Sequence, residues 1–477
     1  MLTPASIESI LTGQCKLDKA RPVVAGVSGG PDSLCLLLLL QQAGWRVVAA
    51  HFNHMLRPEA DEEALAVEKL ARSRGIPFAA GRGDVAGHAA ARKLSIETAA
   101  RELRYRFLFA QAEEHGAQAV AVGHTADDQV ETVLMHFIRG AGLNGLKGMP
   151  YRSILRGFDE EIPLVRPLLD AWRADTVAYC EANKVKPHYD ASNASLDFLR
   201  NRVRNELIPL METNNPQFRE AVWRSGKTLT ADHEILKAAL EPVWRRAVQR
   251  KGARYVSLKE DVLMAEPTAV RVHILRETAR ELIPEEDIGY EDLLRAANFA
   301  RDSAQDRVDF AGGLWLLREG GLLHVAVDVA DLPTDQWPQM PKGMDSLALS
   351  IPGSVLLGDG WQFTIQSCDA AELESLQPWK AGQPFETFLD TGSVPDALEL
   401  RVRRTGDRFE PLGMGRHSQK LSDFFVNAKL PRRARRRWPL ICAGEQVIWV
   451  PGYRPGERYK LKPDSQGVLL LALKPPK

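Results

Sequence analysis

Residues 21–150 alternate between short apolar runs and longer amphipathic segments. The runs with the length of buried strands are Val23–Val27, Arg46–His51, Ile76–Ala80 and Ala119–Val122. The segments with helical length are Ser33–Ala43, Glu59–Arg74, Glu97–His115 and Ala126–Arg139. Strands that alternate with helices predict an α/β domain at 1–212 with a doubly wound parallel sheet. Ligands of such sheets bind at the carboxyl ends of the strands, so we expect functional residues directly after them.

A mainly helical pattern follows, and it predicts a separate middle domain at 213–330. Helical segments include Ala231–Arg250 and Thr268–Leu282. Two strand-like pieces, Gly313–Arg318 and Leu322–Val327, close this region.

The last part of the chain combines short apolar runs with Gly and Pro turns. Residues 331–345 are rich in Pro, Gln and Asp and predict a linker. Within 346–477, helical patterns occur at Gln419–Asn427 and Pro431–Arg437 between the short strands. We therefore predict a small α+β domain at the C-terminus.

Charge is balanced over the whole chain but not along it. Lys+Arg and Asp+Glu number 62 each in 477 residues, so the net charge indicates no partner. Residues 331–400 hold 2 basic and 11 acidic side chains, whereas residues 401–460 hold 15 basic and 5 acidic ones. This asymmetry predicts a basic surface near the C-terminus.

The spacing of the five cysteines excludes several classes of protein. No C-x-x-C pair occurs, which argues against a four-cysteine zinc or iron–sulfur site and gives no disulfide framework. No apolar run reaches the roughly 18 residues of a membrane span. Residues 1–20 lack the continuous apolar core of a signal peptide. We predict a cytoplasmic protein with no membrane partner.

A glycine loop, V-S-G-G-P-D-S, joins the first predicted strand to the first predicted helix. Gly29 and Gly30 permit a sharp turn, and Pro31 suits a first helical turn. Ser28 and Ser33 frame the loop. Amides of such a loop converge on one spot, where the helix dipole also favours negative charge, so the pattern indicates a phosphate site. A tight turn without a ligand is the alternative.

Asp32 distinguishes this loop from a Walker A motif, which carries a lysine on the outer phosphates. An acid beside a polyphosphate makes sense mainly when Mg²⁺ bridges the two. We therefore predict that Asp32 is a ligand of Mg²⁺.

A second cluster of polar residues, G-H-T-A-D-D-Q-V-E-T, follows the fourth predicted strand and opens a helix. Thr125 and Asp128 fit a capping box. Capping does not explain His124, Asp127 or Glu131. Asp127 and Glu131 are four residues apart on one helix face and would repel each other without a cation. Mg²⁺ or an ammonium group of a substrate would suit, and the sequence leaves the choice open.

Two further stretches place basic side chains near the same edge of the sheet. His51 and His54 follow a strand, but no third metal ligand is apparent, so substrate positioning or a base contact is the better interpretation. Arg101 and Arg104 share one helix face, which is typical either of a solvated surface or of a phosphate contact.

Arginine runs occur in three places. R-N-R-V-R at 200–204 fits a charged helix face or a clamp for phosphates of RNA or ATP. Runs at 401–408 and 432–437 have aromatic residues among them, which are Phe409, Phe424, Phe425 and Trp438. Arginine with interleaved aromatics is typical of RNA binding, and a solubilising surface is the alternative.

Together these motifs closely resemble the bacterial tRNA(Ile)-lysidine synthetases, which are PP-loop ATP pyrophosphatases with a Rossmann-like fold. The matching stretches begin with S-G-G-P-D-S and H-F-N-H-M-L-R and include E-T-A-A-R-E-L-R-Y, G-H-T-A-D-D-Q-V-E-T, R-P-L-L and R-N-R-V-R. They end with R-R-T-G-D-R-F-E-P-L-G-M, K-L-S-D-F-F and W-V-P-G-Y-R. The resemblance spans nearly the whole chain and is weak only between 220 and 400.

The resemblance implies an enzyme that uses ATP and Mg²⁺ to join free L-lysine to the wobble cytidine of an isoleucine tRNA with a CAU anticodon. O2 of the cytosine attacks the α-phosphate, and diphosphate leaves. The ε-amine of lysine then attacks C2 of the adenylated base, and AMP leaves. The modified base pairs with A instead of G, so the tRNA becomes an isoleucine acceptor.

The resemblance also implies roles for individual residues. The loop residues that would hold the diphosphate are Ser28, Gly29, Gly30, Pro31, Asp32 and Ser33, with Asp32 also on Mg²⁺. The catalytic residues would be Asp32, Arg101, Asp128, Glu131 and Arg202. The residues that contact lysine or tRNA would be His51, His54, Arg57, His124, Asp127, Arg204, Arg403, Arg404, Arg408, Arg432 and Arg433. A carboxylate of this set or His124 would take the proton of the attacking amine.

Three other functions compete with this interpretation. Sulfur insertion into tRNA uses the same fold but needs paired cysteines, which are absent from the sequence. Amide synthesis with a glutaminase domain needs a nucleophilic cysteine near the N-terminus, and Cys15 lies in an unpromising helix-like segment. An RNA-binding protein with a vestigial loop would not need Asp32 and Ser33. The sequence does not decide whether the chain forms a homodimer.

Overall fold

The structure is a computed structural model that describes residues 2–56, 60–188, 198–284, 286, 288–302, 306–369, 385–414, 417–462 and 465–476. Arg57, one of the predicted substrate contacts, lies outside the described residues. The chain divides into two compact units, Met1–Glu241 and Pro242–Lys477.

A six-stranded sheet forms the centre of the first unit. Its strands are β1 (Val23–Gly26), β2 (Val47–Asn53), β3 (Phe78–Arg82), β4 (Val120–Val122), β5 (Arg152–Ser153) and β6 (Leu164–Val165). They lie in the order β3-β2-β1-β4-β6-β5, and only β5 pairs antiparallel. The strand order reverses between β1 and β4, where open α/β sheets bind their ligands. The predicted doubly wound α/β fold is confirmed.

Helices pack on both faces of this sheet and on one another. They are α1 (Pro4–Gly13), α2 (Pro31–Gln42), α3 (Ala60–Ser73), α4 (Val85–Arg92), α5 (Ile96–Glu114), α6 (Ala126–Ile138), α7 (Leu143–Leu146), α8 (Arg173–Ala182), α9 (Leu199–Arg202), α10 (Ile208–Asn214) and α11 (Phe218–Ala247). A π-helical turn, Val203–Leu207, joins α9 to α10.

Successive side chains of β1 point to opposite faces of the sheet and therefore contact different helices. Val23 and Ala25 pack with the apolar face of α1 and with α2, whereas Val24 packs with α5 on the opposite face. Residues 34–40 of α2 are all buried, because this helix packs between the sheet, α1 and α8. The rigid α2 fixes the position of the glycine loop that precedes it.

An antiparallel sheet follows α11 in the second unit. Its strands are β7 (Val248–Lys251), β8 (Tyr255–Lys259), β9 (Arg307–Ala311), β10 (Leu314–Glu319) and β11 (Leu322–Ala326), in the order β7-β8-β11-β10-β9. The helices packed with it are α12 (Glu260–Met264), α13 (Thr268–Leu282) and α14 (Tyr290–Asp302). The predicted helix Ala231–Arg250 is wrong at its end, because α11 stops at Ala247 and the polar edge strand β7 begins.

Short strands and one helix form the C-terminal part. They are β12 (Ser346–Leu349), β13 (Gly353–Leu356), β14 (Gln362–Asp369), β15 (Glu386–Asp390), β16 (Leu398–Arg401), β17 (Arg408–Phe409), β18 (Gln419–Lys420), α15 (Leu421–Asn427), β19 (Leu440–Ala443), β20 (Gln446–Trp449) and β21 (Gly467–Lys474). The sheets β12-β16-β19-β20 and β13-β14-β21-β15 share one apolar core, which includes Phe363, Leu400, Trp449 and Leu471. The predicted α+β class of this region is confirmed.

Two sequence predictions for this part differ from the structure. Pro431–Arg437 forms successive turns rather than a helix, since the Ala434 and Arg437 amides bond three residues back, to the carbonyls of Pro431 and Ala434. The segment 331–345, with the composition of a linker, buries Trp337 and Met340 in the neighbouring cores.

Candidate active site

The two polar motifs of the first unit meet at the carboxyl edge of the sheet. β1 and β4 are hydrogen-bonded neighbours, with Gly26 opposite Val122, so the loops that follow them are adjacent. A Cβ atom at Gly123 would lie 2.8 Å from the carbonyl oxygen of Asp32. Only glycine permits this approach, which brings the fourth-strand motif against the start of α2.

The glycine loop has the geometry of an anion cradle. Gly29 has φ +89°, a conformation that side chains disfavour, and Gly30 is the N-cap of α2 without a side-chain cap. The Ser28 amide donates to Ser33 Oγ at 3.1 Å, and Ser33 Oγ donates to the Gly30 carbonyl at 3.0 Å. The loop is therefore held by its own serines while the first amides of α2 lack a side-chain acceptor, which suits a phosphate.

Asp32, in the first turn of α2, is held by two residues of α8. Thr176 Oγ1 donates to Oδ1 at 2.5 Å, and Arg173 Nε donates to Oδ2 at 3.3 Å. Burial raises the pKa of Asp32 above its usual range, and the nearby Asp128 adds to this, while Arg173 and Thr176 oppose it.

Asp128 combines a capping role with a charged contact. Thr125 donates from its amide and hydroxyl to Oδ2 at 2.9 and 3.1 Å, which confirms the predicted capping box. The other oxygen, Oδ1, lies 3.6 Å from Nη2 of both Arg173 and Arg204. Burial alone would raise the pKa of Asp128, but His124, Arg173 and the Thr125 amide together hold it below its ordinary value.

Glu131 is fully buried and bound by arginines. Arg204 donates from Nε to Oε1 at 2.6 Å and from Nη2 to Oε2 at 2.9 Å, and Arg200 Nε lies 3.7 Å from Oε2. Burial raises the pKa of Glu131 despite this pairing, and the charge of Asp128 also raises it.

Asp127 ties three elements together. Its Oδ2 accepts the Arg173 amide at 2.7 Å, and its Oδ1 accepts from Arg219 Nη1 of α11 at 2.7 Å. Arg219 also bonds Glu212 at 2.8 Å. Both oxygens of Asp127 are therefore used to fix the starts of α8 and α11 against α6.

The positive charges that Asp127 and Glu131 of α6 require are thus supplied by arginines of the same chain. They come from α8, from the turn around α9 and from α11, in the residues Arg173, Arg200, Arg204 and Arg219. Sequence reasoning sought a partner at helical spacing and missed Arg173, Thr176 and Arg219, and it named the run 200–204 only as a helix face or a phosphate clamp. Arg173 and Thr176 follow strand β6 at the carboxyl edge, the same signal that identified the other loops.

Arg202, predicted to be catalytic, does not join this cluster. Its side chain is exposed and makes no ion pair or hydrogen bond among the described residues. Arg200 and Arg204 flank it and point to the acids, with the π-helical turn beginning between them. Local π-helical geometry often occurs at functional sites.

A second group near the cleft carries positive charge without an acidic partner among the described residues. Arg101 and Arg104 place their guanidinium carbons 4.6 and 5.2 Å from the ring centre of Tyr105. In the described part of the chain, Arg104 Nε, the Tyr105 hydroxyl and His124 Nδ1 are buried without a hydrogen-bond partner. Burial lowers the pKa of His124 to about 3, so its imidazole is neutral at pH 7. Arg166 contributes to this effect.

The two other histidines of the predicted site, His51 and His54, lie at the end of β2 and just after it. His51 is buried, and its Nδ1 lies 2.8 Å from the Val27 carbonyl oxygen, to which a protonated Nδ1 donates. Burial lowers the pKa of His51. His54 packs edge-on against Phe52, with ring centres 5.1 Å apart. Within the described ranges, no group of three His, Cys, Asp or Glu side chains is arranged to hold a metal.

The arginines of the basic C-terminal segment, residues 401–460, form two groups: some are bonded within the folded structure, and others are exposed to solvent. Arg433 bonds Glu319 at 2.5 Å and the carbonyls of Leu332 and Pro333 at 3.3 Å, so it is engaged within its own unit. Arg404 pairs with Glu399, and Arg408 donates to Ser418. By contrast, Arg403, Arg432 and Arg436 are exposed and make no ion pair with the described residues.

The aromatic residues among these arginines do not form a stacking surface for bases. Phe409, Phe425 and Trp438 are buried in one apolar core with Leu421. Phe424 packs edge-on against Phe409, with ring centres 5.1 Å apart. Phe409, Phe425 and Trp438 therefore belong to the core of a small domain, and RNA binding by the arginine runs beside them stays a prediction.

Among the described residues, no helix has both the length and the apolar content to span a membrane.

Comparisons with known proteins give similarities over both units. A family model described as PP-loop domain matches residues 4–211, and one described as TilS substrate C-terminal domain matches residues 398–472. The tRNA(Ile)-lysidine synthase of Dehalococcoides mccartyi is 33% identical over 463 residues, 94% of each chain. That of Geobacter sulfurreducens is 31% identical over 474 residues, covering 95% of this chain and 93% of its own. A solved TILS C-terminal domain is 27% identical and covers 27% of this chain and 97% of its own, with a TM-score of 0.24.

Proposed function

Because this chain belongs to the tRNA(Ile)-lysidine synthase family, we propose that it joins L-lysine to C2 of the wobble cytidine in an isoleucine tRNA with a CAU anticodon. ATP is cleaved to AMP and diphosphate in this reaction. The observation that carries the proposal is the meeting of Asp32 and Asp128 at one cleft, where both face Arg173. Because ATP, free lysine and tRNA are all found in the cytoplasm, we place the reaction there.

The glycine loop would hold the outer phosphates of ATP. The uncapped amino end of α2 and the hydroxyl of Ser28 supply donors for a diphosphate, while Ser33 holds the shape of the loop. When O2 of the cytosine attacks the α-phosphate, negative charge leaves with the diphosphate, and donors already in place stabilise it. Arg101 and Arg104, which have no carboxylate partner among the described residues, are suited to the α-phosphate.

The acids of the cleft fit a magnesium ion. Mg²⁺ in nucleotide sites is usually bound by one or two carboxylates together with phosphate oxygens. Asp32 Oδ2 and Asp128 Oδ1 form such a donor set, because both face one guanidinium and their other oxygens are already bonded. A bound Mg²⁺ would neutralise charge on the phosphates.

Lysine would bind through its ammonium group at Glu131 and Asp128. The attacking amine must first lose a proton, and the acceptor should have a pKa near the working pH. Burial raises the pKa of Glu131, whereas that of His124 falls to about 3. His124 is therefore suited to accept a hydrogen bond from substrate through Nδ1 rather than to take up the proton.

The second unit would bind tRNA through its exposed arginines. Arg403 and Arg432 lie close enough to Arg435 to lower its pKa, after the larger effect of burial, so they form one positive patch. Such a patch would contact phosphates of the RNA backbone without reading sequence.

The direct test supplies the full-length chain with ATP, radiolabelled lysine and an isoleucine tRNA transcript with the CAU anticodon. We expect stoichiometric attachment of lysine to the tRNA and AMP formation that depends on both. A transcript of the methionine tRNA with the same anticodon is the control and should remain unmodified. AMP formation without lysine attachment would contradict the proposal.

A further inference from the structure

Arg173 stands between the two acids that the proposed reaction brings together. Its Nε lies 3.3 Å from Asp32 Oδ2, and its Nη2 lies 3.6 Å from Asp128 Oδ1. One guanidinium therefore faces the free oxygen of each carboxylate. This is the place that a divalent cation shared by the two acids would need.

The backbone of Arg173 is fixed, but its side chain is accessible. Its amide donates to Asp127 Oδ2 at 2.7 Å, which anchors the first residue of α8. The side chain is 33% exposed, and its contacts to the acids are longer than the 2.6 Å between Arg204 and Glu131. The guanidinium can thus leave the acids by side-chain rotation without unfolding the helix.

The two acids need a counter-ion at all times. Each is largely buried, and the charge of Asp128 disfavours the ionised form of Asp32. Buried like charges are stable only when a cation compensates them. An arginine and a divalent metal are therefore alternative ways to neutralise the same pair.

We propose that Arg173 is a built-in counter-ion that competes with divalent metal for the space between Asp32 and Asp128. It leaves this space when a metal–nucleotide complex arrives. The released guanidinium stays beside the amino end of α2, where its planar donors suit phosphate oxygens. The identity of the nucleotide rests on the proposed function, but the competition between arginine and metal does not.

The test measures Mn²⁺ binding by electron paramagnetic resonance in the full-length chain without nucleotide, lysine or tRNA. We expect Arg173→Met to bind Mn²⁺ about tenfold more tightly than the natural protein, because the two acids lose the one guanidinium that both of them face, while Arg204 stays beside Asp128. Arg173→Lys keeps the positive charge and should bind within about twofold of the natural protein. Equal Mn²⁺ affinity in Arg173→Met and the natural protein would overturn the proposal.

Two controls locate the effect. Adding Asp32→Asn to Arg173→Met should remove the gain in Mn²⁺ affinity, and a gain that persists would show a different site and overturn the proposal. Arg72→Met removes one positive charge from an exposed pair with Glu68 in the same unit and should not tighten binding.

If Arg173→Met does not fold, Arg173→Gln replaces it with the same expectations. Lysine attachment is assayed separately, so failure of the proposed function leaves the Mn²⁺ result interpretable.

Discussion

Arg204 binds both carboxylate oxygens of Glu131, at 2.6 and 2.9 Å, in a part of the cleft where Glu131 is 1% exposed. Planar two-point pairing of this kind is specific to arginine. Removal of one partner from a buried pair leaves the other charge uncompensated, which is far more costly than loss of a surface pair. Arg204 therefore controls both the stability of this region and the charge of Glu131.

Arg204→Met should lower the free energy of unfolding by about 3 kcal/mol and abolish lysine attachment. Arg202→Met is the matched control, because Arg202 is exposed without an ion pair among the described residues. It should stay within about 0.5 kcal/mol of the natural protein. Urea unfolding and the lysine assay measure both effects. Equal stability of the two variants would show that the Arg204–Glu131 pair carries no special role.

Asp32→Asn should reduce AMP formation by at least about 100-fold while tRNA binding is retained. The change removes one negative charge from the cleft, and the arginines expected to bind tRNA lie in the other unit. Filter binding with labelled tRNA and quantification of AMP separate the two effects. Glu8→Gln, which breaks only an exposed pair with Lys19, serves as the control. A variant that forms AMP at the normal rate would rule out a role for Asp32 on the phosphates or the metal.

Arg432→Glu combined with Arg436→Glu should weaken tRNA binding and flatten its dependence on salt. Each lost phosphate contact should reduce the slope of log K against log salt by about 1. Arg295→Glu, on α14 in the same unit, controls for a general change of charge. Arg433→Met should instead reduce stability, because Arg433 bonds Glu319 and two carbonyls. Unchanged salt slopes in the double variant would assign these arginines to a merely solubilising surface.

His324 should make the second unit sensitive to acid. It is 1% exposed, its Nδ1 lies 2.8 Å from Ser257 Oγ, and burial together with Arg433 lowers its pKa to about 4. In the unfolded chain this histidine has its ordinary pKa near 6.5, so it takes up a proton more readily than in the folded protein. The stability that comes from keeping His324 neutral is therefore complete above pH 6.5 and is lost as the pH falls towards 4. We expect His324 to account for a loss of about 2 kcal/mol between pH 7 and pH 5.

Urea unfolding of the full-length chain at the two pH values measures this loss. His324→Gln removes the titrating group and keeps a polar side chain beside Ser257. The variant should show a pH dependence smaller by about 2 kcal/mol than that of the natural protein. Identical pH dependence in the two proteins would contradict a buried neutral His324.

Local features of the site and of the rest of the chain were predictable from the sequence. The glycine loop at Ser28–Ser33, the capping box of Thr125 and Asp128 and the helix Thr268–Leu282 depend on short-range geometry and periodicity. The edge strand β7 was not predictable, because its sequence V-Q-R-K has no apolar alternation and pairing with β8 decides its conformation.

The sequence by itself determined the α/β class, the position of the loops at the carboxyl edge and the types of residue in the cleft. These follow from strand and helix periods and from the rule for ligand sites in parallel sheets. Only the tertiary structure decided which charges compensate one another. Asp127, Asp128 and Glu131 are neutralised by Arg219, Arg173 and Arg204, respectively, which lie 45 to 92 positions away along the chain. Ion pairing depends on distance in space, and sequence spacing carries no information about distance between elements so far apart.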